Sequence, residues 1–144
     1  MEIPEEYILQ CEKAVEIQDS WEPQNADIVK GDFVGYIQDW NTTLASLERF
    51  SADKGIDGKY SWYKKEELIW LPTQVQLQEM YLNNRKYKIN CGQMSMFFED
   101  WRHDELMRYG KDLMNWSMGQ LWLACVMQKK YNKVWNGEDW VTER

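Results

Sequence analysis

Leu121-Trp122-Leu123-Ala124-Cys125-Val126-Met127 sets seven apolar side chains in succession. An α-helix turns such a run toward every side, so this segment must be buried on most sides and the chain around it must supply the cover. Its flanks predict a helix. Ser117 followed by Gln120 reads as a capping box, and Trp116 with Leu121 as a hydrophobic staple. Lys129, Lys130 and Lys133 come after it, where cations oppose the C-terminal end of the helix dipole. No apolar run is longer, and a bilayer span takes about 20 residues, so no membrane segment is expected.

The cover is aromatic. Nine tryptophans stand at positions 21, 40, 62, 70, 101, 116, 122, 135 and 140, spread along all 144 residues. Each brings a large apolar surface and one N–H that needs a partner when buried. A chain of this length is the usual size of one domain, so residues 1–144 are expected to form a single unit with a Trp-rich core. The expected class is α+β, with about four main helices packed on a small, mostly antiparallel sheet. Three cysteines, Cys11, Cys91 and Cys125, lie at wide spacings, without the close pairs of a zinc site. Their odd number argues against a disulfide framework, and the N-terminus lacks the features of a signal peptide, so a cytoplasmic location is expected.

The rest of the chain reads as follows. Tyr7, Cys11, Ala14 and Val15 form one apolar stripe, predicting a helix from Pro4 to Ser20 that ends at Trp21-Glu22-Pro23. Ile28 to Ile37 reads as a strand bent at Gly31 or Gly35. Asn41-Thr42-Thr43 is expected to cap a short helix through Phe50. Residues 53–58 carry turn chemistry, and Lys59 to Tyr63 and Leu68 to Leu71 read as short strands paired with each other. Thr73 and Gln76 form a second capping box, with Leu77, Met80 and Tyr81 as the buried stripe of the helix that follows. Asn83-Asn84 and Gly92 bound a looser basic segment, residues 85–88. Met94, Phe97, Phe98 and Trp101 recur at helical spacing, in a helix that should stop before Gly110. Asn136-Gly137 between Trp135 and Trp140 predicts a small hairpin.

Chemistry-bearing patterns are few. His103 is the sole histidine, with no second His and no nucleophile signature beside it, so it reads as a surface residue. Glu66-Glu67 and Glu99-Asp100 are sequence neighbours, which point apart on a helix and make poor acid–base couples. No glycine-rich loop opens a helix as phosphate-binding motifs do. No catalytic residue, cofactor or metal ligand is therefore assigned. Basic–aromatic clusters at 64–65, 85–88 and 129–131 could in principle stack on single-stranded nucleic acid, but the net charge of −7 opposes it. Charge is uneven: residues 1–40 hold ten acids against two bases, the remainder fourteen against fifteen. The candidate interaction surface is accordingly Glu5, Glu12 and Glu16 on the solvent side of the first helix, together with Trp135 and Trp140, expected to be partly exposed near the terminus.

Three blocks carry a resemblance. They are Trp21-Glu22-Pro23 with Gly31-Asp32-Phe33-Val34; Ile69-Trp70-Leu71-Pro72-Thr73-Gln74-Val75-Gln76-Leu77-Gln78-Glu79-Met80; and Gln120 through Tyr131 with Trp135-Asn136-Gly137-Glu138-Asp139-Trp140-Val141. In these the chain resembles a family of small phage and prophage proteins of Gram-positive bacteria to which no chemistry is assigned, and no functional residue transfers. The resemblance implies an accessory role. The leading expectation is a non-enzymatic protein that binds a host or phage macromolecule, an anti-defence role included. The alternatives are a nucleotide binder using an aromatic pocket and a metal-dependent hydrolase using converging carboxylates.

Overall fold

The computed structural model describes residues 3–41, 43–49, 61–83 and 90–143. The chain divides into two compact units, Met1–Pro72 and Thr73–Arg144. The expected α+β class is what they show: four helices of seven or more residues and an antiparallel sheet, with aromatic cores. The expected turn at 53–58 and the basic segment 85–88 lie outside the described residues.

The first unit opens with α1 (Glu5–Lys13) and α2 (Val15–Ser20), two helices where the stripe predicted one. The break is Ala14, at φ −82° and ψ 70°. There the Cys11 carbonyl accepts from the Ala14 N–H at 3.1 Å and from the Gln18 side chain at 3.0 Å. Because the helical phase restarts there, Val15 falls outward at 54% exposure and Ile17 takes the buried place. The strands are β1 (Ile28–Lys30), β2 (Val34–Trp40), β3 (Ala45–Arg49), β4 (Ser61–Tyr63) and β5 (Ile69–Trp70). They form one antiparallel sheet in the order β4-β3-β2-β1-β5.

Three expectations are corrected here. The stretch Ile28 to Ile37 folds back on itself as a hairpin, so it supplies β1 and the start of β2 rather than one bent strand. Residues 45–49 are a central strand, not a helix. Asn41 does act as a local acceptor, for the N–H groups of Thr43 and Leu44, but it closes a turn. Ala45, Ser46 and Leu47 are then buried between two neighbouring strands, and this tertiary burial overrides local propensity. Finally, β4 and β5 do not pair with each other: they form opposite edges of the sheet.

Val29, Ile37, Ala45, Leu47, Tyr63 and Trp70 are the buried apolar side chains of the sheet among the described residues. Gly35 lets β2 and β3 approach: a Cβ there would sit 2.3 Å from the carbonyl oxygen of Glu48. Trp21 stacks on Trp70 at 5.9 Å between centroids, and its indole N–H donates to buried Asp27 at 2.9 Å.

The second unit holds α3 (Gln74–Asn83), α4 (Cys91–Tyr109), α5 (Lys111–Asn115) and α6 (Met118–Tyr131), then β6 (Lys133–Trp135) and β7 (Trp140–Thr142). The capping boxes at Thr73/Gln76 and Ser117/Gln120 are both formed. Gln120 to Met127 are all buried, as the seven apolar residues require. Leu77 and Tyr81 are the buried stripe of α3; Met80 is only half-buried. Phe98 lies flat on Trp122 with centroids 4.1 Å apart, and Tyr81 meets Trp122 edge-on at 5.8 Å. Gly92 is inside the first turn of α4, not in a loop, because Asn90 starts the helix before it. The helix stops at Gly110 (φ 57°), as expected.

Candidate binding surface

A helix against a core should alternate an apolar inner face with a polar outer one. Helix α4 starts on a capping box, Asn90 accepting from the N–H of Gln93 at 2.8 Å and Gln93 accepting from that of Asn90 at 3.0 Å. Met94, Phe98, Trp101 and Glu105 follow at helical spacing and are buried. The opposite face is not simply polar. Met96 is 58% exposed, Leu106 39% and Met107 91%. The short α5 adds Met114 at 77%, and the first residue of α6, Met118, stands at 42%.

Three of these side chains, Leu106, Met114 and Met118, border a depression of about 380 Å³; Met96 and Met107 lie outside its lining. Its floor is the buried trio Leu113, Trp116 and Leu121; Leu106, Met114 and Met118 form the apolar rim; Glu99, Arg102 and His103 form a polar wall. Arg102 and Glu99 are an ion pair at 3.7 Å. Three local causes make the site. Gly110 ends α4, Leu113 anchors α5 inward, and Trp116, just before the Ser117 cap of α6, packs on Tyr109 with rings tilted by 51° and centroids 4.8 Å apart. The volume is that of a pocket able to hold a small molecule or one large side chain. Among the described residues of its lining no hydroxyl or thiol stands beside His103. Methionine is flexible and polarizable, suited to surfaces that mould to a partner.

The residues singled out from sequence fall differently. Glu5 and Glu12 are exposed, seven residues apart on the outer side of α1, away from buried Tyr7 and Cys11. Glu16 lies past the Ala14 break, on α2, and is half-buried. Trp135 and Trp140 are not exposed: they are 5% and 7% accessible. They face each other across the β6–β7 hairpin with rings 5.2 Å apart. The antiparallel register puts both rings on one side of the ribbon, and that side is the buried one. The terminal tryptophans are therefore core, and the surface they were expected to form is not there. His103 is exposed, as expected, but on the wall of the pocket. The sequence carried one unused signal: five of the eight methionines lie between positions 94 and 118.

Other titratable groups serve structure. Burial pushes the Tyr7 hydroxyl and the Cys11 thiol far above their ordinary ranges, and Tyr7 donates to the carbonyl of Pro72. Tyr109 is pushed up to about 12 by burial; its hydroxyl accepts from the N–H of Trp135 at 3.1 Å. Gln128 is a hub. Its oxygen accepts from the Trp101 indole, and its amide nitrogen donates to Glu105 at 2.8 Å and to Glu143 at 3.0 Å. Arg108 bridges the same two carboxylates, and its hydrogen bond holds Glu143 below the ordinary carboxylate range. Among the described residues no three His, Cys, Asp or Glu side chains are grouped to hold a metal ion, and no helix is long and apolar enough to cross a membrane. Most aromatic rings pack on one another rather than around an open cage.

No family model matches the chain, and neither a curated relative nor a solved structure does.

Proposed function

We propose that this is a non-enzymatic binding protein that docks a macromolecular partner on the methionine-rich surface of α4, α5 and the start of α6. One observation carries the reading: Leu106, Met114 and Met118 are exposed at the rim of a pocket with an apolar floor, and Met96 and Met107 are exposed on the same helix, α4. Scattered apolar residues on a surface are ordinary, but several gathered at one depression mark an interaction site. Buried aromatic and aliphatic pockets at the centre of an interface hold most of its binding energy. The resemblance to phage and prophage proteins adds the setting: a cytoplasmic accessory protein acting on a host or phage protein, an anti-defence role included. The acidic face of α1, with Glu5 and Glu12, is then a source of encounter rate rather than the contact itself.

The experiment is affinity capture from host lysate with the wild-type chain and with the double variant Met107→Asp/Met114→Asp. Both side chains are exposed, so the fold should survive. A stoichiometric partner recovered by the wild type and lost by the variant is expected. Equal recovery by both would move the interface elsewhere.

A further inference from the structure

We infer that the partner element received by this surface is a basic amphipathic helix. The inference rests on the docking surface proposed above and adds the chemistry of its occupant.

Helical geometry, at about 100° per residue, sorts the outer face of α4 into three parallel bands. Met96 and Met107 form the crest, eleven residues apart and nearly in line. His103 lies between them on the crest line, and Glu99, Arg102 and Leu106 lie on one flank; all four line the pocket. On the other flank lie Asp100 and Asp104, both exposed. The helix has two arginines, and each is already engaged by acids of this chain: Arg102 with Glu99, Arg108 with Glu105 and Glu143. Among the described side chains of α4, the exposed charges outside these ion pairs are those of two aspartates.

An apolar crest that is flexible in shape and flanked by carboxylates has a definite complement. Its partner needs apolar anchors at the spacing of one helix face and cations along the border of that face. Met side chains accept Leu, Ile or Phe anchors with little demand on shape. The 380 Å³ depression gives one anchor a seat on Leu113, Trp116 and Leu121. Lysines or arginines beside the anchors then meet Asp100 and Asp104. An acidic or neutral helix would gain the same apolar contact but would face like charge or none, and would associate more slowly.

The test uses the full chain and two labelled synthetic peptides of about 18 residues, long enough to form a helix on the surface. Both carry the same leucine face; one has lysine at its polar positions, the other glutamate. Fluorescence anisotropy reads binding. The lysine peptide is expected to bind at least about tenfold more tightly than the glutamate peptide at low salt, with the gap narrowing as salt rises. Met107→Asp/Met114→Asp should weaken the lysine peptide at least about tenfold, although it adds negative charge, because the apolar crest and the pocket rim are damaged. Met107→Gln/Met114→Gln gives the same loss without altering charge. Asp100→Asn/Asp104→Asn should flatten the salt dependence. If the two peptides bind equally, and the methionine variants weaken both, the docking surface stands and the basic partner is wrong. If the methionine variants leave peptide binding unchanged, the surface itself is wrong.

Discussion

Gln18 pairs with Trp70 as though its side-chain amide were one more strand. Its oxygen accepts from the Trp70 N–H at 2.8 Å, and its nitrogen donates to the Trp70 carbonyl at 2.9 Å. Trp70 lies on β5, an edge of the sheet, and β1 is bonded instead through Leu71, whose N–H donates to Ile28. The two outward groups of Trp70 would otherwise be left at a bare edge, the kind of edge that recruits other chains. The same amide nitrogen also donates to the Cys11 carbonyl, beside the Ala14 break of the first helix.

Gln18→Ala should therefore destabilise the protein by about 2–4 kcal/mol, since partly buried backbone groups lose their partners. Urea denaturation reads the change. A loss below about 0.5 kcal/mol would show that water replaces the amide at no cost and that the edge needs no cover.

Trp122 offers a paired test of what the aromatic core does. It is 2% exposed, stacked on Phe98, and its buried indole N–H finds no acceptor among the described residues. Trp122→Ala should cost about 3–5 kcal/mol through the cavity it leaves. Trp122→Phe should cost less than half as much, because it keeps a ring on Phe98 and gives up no hydrogen bond. Thermal melts of the two variants compare them; a Phe variant as damaged as the Ala variant would mean that the indole N–H has a partner after all.

Acid should loosen the Gln128 hub. The Arg108 hydrogen bond, and Gln128 after it, lower the pKa of Glu143 in the folded state. A depressed carboxylate stabilises the fold above its unfolded pKa, and that contribution is lost as pH falls through the folded value. Glu143→Gln should melt lower than wild type at about pH 7, and the difference should shrink toward zero at about pH 3. A difference constant across that range would show that the Glu143 charge does not stabilise the fold.

Thr73→Ala removes the acceptor that holds the Gln76 N–H at 3.2 Å. The expected cost is about 1 kcal/mol, the usual worth of an N-cap, with the fold intact. A change that is neutral in chemical denaturation would mean that Gln76 alone fixes the start of α3.

Much of this fold was legible because its signals are local. Capping boxes need residues three apart, and both expected ones formed, at Thr73 and at Ser117. Asn136-Gly137 turned the terminal hairpin. The seven apolar residues of α6 had to be buried, and are. What was not legible depends on distant residues. Nothing near Ala45 announces two strands closing over it, so the Asn41 turn read as a helix cap. Gln18 and Trp70 are 52 residues apart, so the break at Ala14 that their contact accompanies could not be foreseen. The candidate site failed in the same way. Trp135 and Trp140 were placed on the surface for being near the terminus, and hairpin register turned both into the core. Met107 and Met114 look like core residues in sequence, because exposure of an apolar side chain is decided by what packs against it.

Methionine oxidation tests the docking surface most directly. Mild peroxide converts accessible Met to its sulfoxide, and mass spectrometry reads each position separately. In the isolated chain Met107 and Met114, at 91% and 77% exposure, should oxidise fastest, while buried Met127 should resist. In the complex recovered from host lysate, Met107 and Met114 should be protected. Full oxidation of both in a complex that remains assembled would contradict the assignment of this surface.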